Sequence, residues 1–244
     1  MNTSQKIALV TGATRGIGRE TVKQLAEAGV LTLLAGRDPG RTKEAVAALA
    51  STGLPVEALV LDVADPKSVA KAVADVEARF GRLDILVNNA GIFLDDIGKA
   101  PSEQSLATWR ETFDTNLFAV VGVTQAFLPL LKKSPSARIV NVSSVLGSLA
   151  MHVDPASPVY GFKVPAYDAS KSALNAWTIH LAYELRDTPI KVNAIHPGYV
   201  QTDMNGGQGE IDVPTGAKSS VGMALLADDG PTGTFTHLGK TLPW

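Results

Sequence analysis

Short apolar runs alternate with helix-patterned stretches along almost the whole chain. The runs are Ile7–Val10, Val30–Ala35, Val56–Leu61, Asp84–Asn88, Arg138–Val142 and Ile190–Ile195, with Thr234–His237 as a last short one. Between them, residues 16–28, Pro39–Ala50, Pro66–Arg79, Ala107–Leu131, Pro165–Leu185 and Pro214–Leu226 read as helices, with apolar positions such as Val69, Val73 and Val76 at helical spacing. The runs are apolar on both sides instead of alternating with polar residues. A strand of that kind needs cover on both faces, which a parallel sheet receives from the helices connecting its strands. The pattern predicts an α/β protein with one doubly wound parallel sheet, a Rossmann fold, and helices on both faces.

The 244 residues would also accommodate two domains of about 120. Without a linker-like composition shift, internal repeat or low-complexity tract, a single domain over residues 1–244 is expected. A chain this long buries a core without metal or disulfide staples. The lack of cysteine excludes disulfides, thiolate catalysis, zinc fingers and iron–sulfur clusters. The four histidines are scattered without ligand spacing, so no metal site is expected. A formal charge of -2 argues against a nucleic-acid partner, which needs a basic face. No G-x-S-x-G or G-K-[ST] motif occurs, so hydrolase and P-loop readings fail. The start of the chain offers only the apolar stretch Ile7–Val10, too short for a signal-peptide core. Runs such as Leu117–Val121 fall far below the ~18 apolar residues of a membrane span. The expectation is a soluble, cytoplasmic protein without a membrane partner.

The first strand–helix junction reads Thr11-Gly12-Ala13-Thr14-Arg15-Gly16-Ile17-Gly18. Glycine permits a tight turn and lets the backbone approach a pyrophosphate. The first amides of the following helix then face the phosphates, aided by the helix dipole. The spacing is G-x-x-x-G-x-G, and alone it would serve equally as a plain βα turn.

Together with later motifs, this loop resembles the cofactor loop of the short-chain dehydrogenase/reductase family. Asn88-Asn89-Ala90-Gly91 is similar to that family's NNAG motif. Asn116, Ser144, Tyr167 and Lys171 match its catalytic set in type and order, and Pro197-Gly198 with Thr202 matches its PG-x-x-x-T segment. The resemblance runs from Ile7 to about Met204 and fits the short branch of the family, not its longer sugar-epimerase branch. It implies a nicotinamide dinucleotide held by Gly12, Thr14, Arg15, Gly16, Ile17 and Gly18. Asp62 and Val63 would meet the adenine, and Asn88, Asn89, Ala90 and Gly91 would line the ribose. Tyr167 and Lys171 would also touch the cofactor, and Pro197, Gly198, Val200 and Thr202 would close over the nicotinamide. For Asp62, a cap on the helix beginning near Pro66 is the alternative.

An acidic residue about 20 positions beyond the glycine loop binds the ribose hydroxyls of NAD, whereas an arginine nearby receives the 2′-phosphate of NADP. Here the second run ends Leu34-Ala35-Gly36-Arg37-Asp38-Pro39. Asp38 before a proline reads as a helix N-cap. Gly36, where NAD-preferring relatives place their acid, carries no charge. Arg37 follows it and Arg15 lies in the glycine loop; a planar guanidinium grips phosphate oxygens in a fork and stacks on adenine. NADP (NADPH) is therefore the expected cofactor, with NAD as the alternative.

Tyr167 and Lys171 stand four residues apart in a helical stretch, which stacks them on one face. A tyrosine with a pKa of ~10 is a poor base at neutral pH. A neighbouring ammonium and an oxidised nicotinamide both favour the phenolate, so a lowered pKa is expected. In the reductive direction the same hydroxyl gives its proton to the carbonyl oxygen. Tyr160 cannot substitute, since Val164 stands four residues later. Ser144 is expected to hydrogen-bond the substrate oxygen. Ser143 competes, and strand alternation sends the two side chains to opposite faces. By resemblance, Asn116 holds a water that connects Lys171 to solvent, a role compatible with a buried asparagine bonded to backbone.

Leu146–Val164 is the one long irregular stretch, within an insertion at 145–166 that begins and ends beside Ser144 and Tyr167. It should wall the substrate mouth. It resembles, in shorter form, the inserted segment that keeps carbonyl reductases monomeric. Leu174, Trp177, Leu181 and Leu185 fit core packing as well as a helix interface, so monomer and homo-oligomer both stay open. Asn205–Gly209 reads either as a mobile lid or as a plain surface loop. The resulting expectation is NADPH-dependent reduction of a small-molecule ketone or aldehyde to an alcohol, reversibly. An NAD-linked alcohol dehydrogenase and a non-catalytic NADP-sensing protein are the alternatives.

Overall fold

The computed structural model describes residues 5–244. Within them, β1 (Ile7–Val10), β2 (Leu31–Gly36), β3 (Val56–Val60), β4 (Ile85–Asn88), β5 (Arg138–Val142), β6 (Lys191–Ile195), β7 (Phe235–His237) and β8 (Lys240–Thr241) form one 8-stranded sheet. The strand order is β3-β2-β1-β4-β5-β6-β7-β8. Neighbouring strands pair in parallel except β7 with β8, a short antiparallel return that the sequence did not predict. The helices are α1 (Gly16–Glu27), α2 (Pro39–Ala50), α3 (Pro66–Phe80), α4 (Leu106–Phe113), α5 (Ala119–Leu131), α6 (Leu149–Val153), α7 (Pro165–Glu184) and α8 (Val213–Ala224).

Every residue of β1, β4 and β5 is buried. Alternate residues point to opposite faces of each strand, and the two sets join two different cores. Leu9, Leu33, Leu86, Ile139 and Val192 pack with Val76, Phe127, Leu130 and Leu181 on one face. Ala8, Val10, Leu34, Ile85, Val87 and Val140 pack with Val22, Leu25, Leu49 and Met223 on the other. Double cover is thus why these strands show no polar alternation. β3 departs from the rule: at the sheet edge, its Glu57, Ala58 and Val60 are exposed.

Local chemistry sets most helix starts. Asp38 accepts the Arg41 amide at 2.8 Å and Pro39 opens α2, as the Asp-Pro pair predicts. Asp65, not Asp62, caps α3 by accepting the Lys67 amide at 3.0 Å, and Gly81 ends that helix at φ 73°. The expected helix 107–131 is interrupted by a π-helical turn at Asp114–Phe118. Such a turn swings one residue out of helical phase and is frequent at functional sites; here it carries Asn116 inward, fully buried. The combined helical run Leu106–Leu131 has 26 residues and contains an 18-residue window with a mean hydropathy of 1.3, enough by length and composition to cross a membrane. Its Val123, Phe127, Leu130 and Leu131 nevertheless lie in the core between sheet and helices. The stretch expected to be irregular contains a 3-10 turn at Val145–Gly147 and the short helix α6.

The order of the strands reverses between β1 and β4. In sheets of this kind a crevice opens there, outside the carboxyl ends of the strands. Those ends carry Thr11-Gly12 and Asn89-Ala90-Gly91. Phe127 is completely buried and holds α5 against the sheet. Phe127→Ala should lower the unfolding free energy by about 3–5 kcal/mol, measured by chemical denaturation.

Candidate active site

A cleft of about 820 Å³ occupies that crevice. The glycine loop supplies Gly12, Thr14, Arg15, Gly16, Ile17 and Gly18; Arg37 follows β2, Asp62 and Val63 follow β3, and Asn89, Ala90 and Gly91 follow β4. Tyr167, Lys171, Pro197 and Thr202 complete the wall. Residues scattered over the chain therefore meet because each follows the carboxyl end of a strand or starts a helix. Gly12 and Gly16 sit at φ 61° and 54°, in the left-handed region. A Cβ on Gly12 would stand 2.8 Å from Ala90 Cα, so the glycine lets the first loop press on the fourth strand's end. A Cβ on Gly16 would meet only Thr202 at 3.9 Å and would project into open space.

The cleft is rich in arginine. Besides Arg15 and Arg37, it is lined by Arg19 and Arg41, which the sequence reading passed over. Their signal was available: Arg19 follows the glycine loop on α1, and Arg41 lies in the first turn of α2 behind Asp38. Arg15 reaches across to Asp203 at 3.2 Å, both side chains 73% exposed. A pair so exposed contributes little to stability. Gly36 has no room for a side chain, because a Cβ there would come within 2.5 Å of Thr14 and 2.6 Å of Thr42. Asp62 accepts the Ala64 amide at 3.1 Å and faces the cleft, and with Asp65 as the α3 cap its capping alternative falls away.

Three expected contacts are placed differently. Asn88 is buried beneath the cleft, donating to Thr124 Oγ1 at 3.0 Å and Asn141 Oδ1 at 2.9 Å. Its neighbour Asn89 donates to the carbonyls of Thr11 and Gly12 at 2.8 and 3.2 Å, tying the glycine loop to β4. Val200 is buried against Gly216 of α8, where a Cβ would lie 2.5 Å from it. Gly198, at φ 99°, packs under Ile211 and His237. Only backbone atoms of these two are left to reach the cleft, since their Cβ sides are committed elsewhere.

The Lys171 ammonium donates to the Val142 carbonyl at 2.8 Å and stands 5.5 Å from the centre of the Tyr167 ring. Burial lowers its pKa to about 8. Tyr167 hydrogen-bonds Ser144 and packs its ring 5.3 Å from that of Phe93. Burial of the hydroxyl pushes its pKa up to about 12, against the opposing pull of the Ser144 bond. The lowered phenol expected from the neighbouring ammonium is thus not what this arrangement produces; loss of hydration outweighs the partners present. Ser143 donates to Asn175 Oδ1 at 2.6 Å, so its hydroxyl is engaged away from Tyr167. Asn116 accepts the Ile92 amide at 2.8 Å and donates to the Ile92 carbonyl at 2.9 Å and Ser170 Oγ at 3.1 Å. A Cβ on Gly91 would lie 3.3 Å from Asn116 Oδ1 and 3.6 Å from Lys171 Nζ, so both polar atoms converge on the space that this glycine leaves open.

Two supporting residues were missed. Asp95 is buried and accepts the amides of Ala166 and Tyr167, each at 2.9 Å. His196 Nδ1 accepts the Val145 amide at 3.2 Å, next to Ser144; burial and the neighbouring His237 lower its pKa to about 3 and keep the ring neutral. Neither has a local motif, since each partner is far away in sequence. The insertion is tied to α7 by His152, whose Nε2 lies 3.5 Å from Asp168 Oδ2. Its Leu149, Val153, Tyr160 and Phe162 are exposed.

A dinucleotide-type sheet whose crevice is lined by a tyrosine and a lysine, with a serine hydrogen-bonded to the tyrosine, points to an α/β oxidoreductase. Comparison with known proteins agrees. The family model for short chain dehydrogenase matches residues 6–211. Salutaridine reductase of Papaver bracteatum is 36% identical over 96% of this chain and 94% of its own length. The (+)-neomenthol dehydrogenase of Capsicum annuum is 30% identical over 96% of each. The solved structure of NADPH-bound carbonyl reductase from chicken fatty liver superposes with a TM-score of 0.85 at 31% identity, covering 98% of this chain and 99% of that one. The chain belongs to the short-chain dehydrogenase family and is an oxidoreductase.

The raised pKa gives a direct expectation. With 13C-labelled tyrosine ring carbons, the Tyr167 resonance should keep its phenol position at pH 10.5, because its midpoint lies near 12. Ser144→Ala should move the midpoint further up, since the lost hydrogen bond is the one that lowers it.

Proposed function

We propose that this protein reduces a ketone or aldehyde to an alcohol with NADPH, reversibly. The observation that carries the reading is that Tyr167, hydrogen-bonded to Ser144 and with the Lys171 ammonium 5.5 Å from its ring centre, lines with Lys171 one end of a cleft whose other end holds Arg15, Arg37 and Arg41. The residues fit a dinucleotide: Gly16 leaves open space where a side chain would stand, and no side chain caps the start of α1. Unsatisfied first-turn amides together with arginines are a donor set for phosphate oxygens. Gly12, Thr14, Gly16, Ile17 and Gly18 would hold the pyrophosphate, Asp62 and Val63 the adenine, and Asn89, Ala90 and Gly91 the ribose. Pro197 and Thr202 would hold the nicotinamide end, with backbone atoms of Gly198 and Val200. When bound, the reduced nicotinamide supplies the hydride that the carbonyl carbon receives.

This chain's own residues handle the oxygen and its proton. Tyr167, a phenol at neutral pH, gives its proton to the carbonyl oxygen. Ser144 hydrogen-bonds the same oxygen and steadies the charge developing on it. The Lys171 cation, held by the Val142 carbonyl, stabilises the phenolate left behind and would be a donor for the ribose of the bound dinucleotide. The space over Gly91, shared by Asn116 and Lys171, would take the water through which the proton is replaced. The exposed apolar side chains of the insertion would form the outer wall for an apolar substrate. The carbonyl reductase and salutaridine reductase names support a small carbonyl substrate. We place the enzyme in the cytoplasm, reading Leu106–Leu131 as a core helix.

The deciding experiment is NADPH oxidation against a panel of aldehydes, ketones, quinones, sugars and steroids. Tyr167→Phe should reduce kcat by about 10²–10⁴-fold; near-wild-type turnover in that variant would remove Tyr167 from its role. NADP is preferred here to NAD because the position at the end of β2 that an acid would need, Gly36, is closed by Thr14 and Thr42. Arg37→Asp should raise KM for NADPH by about tenfold or more while KM for NADH changes little, as expected for loss of a charge-assisted phosphate contact. Equal effects on both cofactors would assign the 2′-phosphate to other groups.

A further inference from the structure

We propose that Asp95 is a positioning residue for the reaction, capping the catalytic helix α7 from outside its own sequence and so setting where the Tyr167 hydroxyl stands. The proposal rests on the catalytic role assigned above to Tyr167. The start of a helix leaves its first amides without intrahelical partners, and a side chain at the N-cap ordinarily satisfies one of them. α2, α3, α4, α6 and α8 each obtain such a bond from their own N-cap residue: Asp38, Asp65, Ser105, Ser148 and Asp212. α7 does not, because its N-cap residue is Val164, which has no side-chain acceptor. The two amides that a cap would reach, those of Ala166 and Tyr167, are bonded instead by Asp95 Oδ1 and Oδ2, each at 2.9 Å, from more than seventy residues earlier.

The segment that delivers Asp95 is the same one that forms the cleft floor. It leaves β4 through Asn89, Ala90 and Gly91, and passes Ile92, whose amide and carbonyl are both bonded by Asn116. Phe93 then packs on the Tyr167 ring, and Asp95 ends the path at the Tyr167 amide. One short loop thus spaces the cofactor wall, the asparagine and the tyrosine. A carboxylate suits this duty better than a neutral cap, because it accepts two amides at once and complements the positive end of the helix dipole. Asp168 adds a second carboxylate, accepting the Val164 amide at 3.1 Å. Burial and the charge of Asp95 raise its pKa to about 7.

Asp95→Asn keeps the shape of the side chain but can accept only one of the two amides. The test compares wild type, Asp95→Asn, Asp95→Ala and Tyr167→Phe, using the panel compound that the wild type reduces fastest. Four quantities are read: kcat, the Kd for NADPH by fluorescence, the thermal midpoint, and hydrogen exchange at the Ala166 and Tyr167 amides. The expected result for Asp95→Asn is a kcat lower by about tenfold or more, as small misplacements of a reacting group produce. NADPH affinity should stay within about twofold of wild type, and both amides should exchange faster. Asp95→Ala should show the same pattern, more strongly. If Asp95→Ala does not fold, Asp95→Asn carries the test. The proposal is overturned if kcat stays within about twofold, if exchange at the two amides is unchanged, or if NADPH binding and thermal midpoint fall in step with kcat. Retained activity in Tyr167→Phe, or no turnover at all in the wild type, would count against the catalytic reading, and the exchange data would then decide the placement by Asp95 separately.

Discussion

The double cover of the central strands is the constraint from which the functional geometry follows. Because β1, β4 and β5 are buried along their whole length, their carboxyl ends cannot shift without disturbing two cores at once. Gly12, Asn89 and Ser144 each stand just beyond one of those ends. The residues around the cleft are therefore carried at the ends of strands that are buried along their whole length. Solvent-exposed contacts lie at the periphery, where the turn at Asp203–Asn205 meets Arg15 in an exposed pair.

Rigidity alone would not keep charged and polar groups in such a dry place. Burial makes an unpaired polar atom costly, and the site answers with a chain of specific partners. Lys171 rests on the Val142 carbonyl, Asn116 closes on both backbone groups of Ile92, and the two amides at the head of α7 rest on Asp95. The same burial explains the opposite pKa shifts of the two central groups. Each is driven toward its neutral form, the lysine downward and the tyrosine upward. At neutral pH the phenol is thus protonated, beside a lysine whose burial lowers its pKa to about 8.

Much of this was legible in the linear chain. Apolar runs without alternation indicated a sheet covered on both faces, and the Asp38-Pro39 pair indicated the start of α2. Four-residue spacing placed Tyr167 and Lys171 on one helical face. What the chain could not reveal were partnerships across long sequence separations. Nothing around Asp95 marks it as a cap for a helix more than seventy residues away. Nor does Asn116 announce the π-helical turn that carries it inward, since that turn is selected by packing and not by propensity. Asn88 and Asn89 look interchangeable in sequence, yet strand alternation buries the first below the cleft and leaves the second at its wall.

By itself, then, the sequence determined the class of fold, the order of the motifs and the identity of the chemical groups, because these depend on local periodicity and on residue type. The tertiary structure alone decided which hydroxyl meets Tyr167, which arginines share the cleft and which side chain bonds the first amides of α7. It also decided that Gly36 has no room for an acid, since Thr14 and Thr42 arrive there from separate elements. Those outcomes depend on where distant segments come to rest against one another, and that is settled by the packing of two helix layers onto a single sheet.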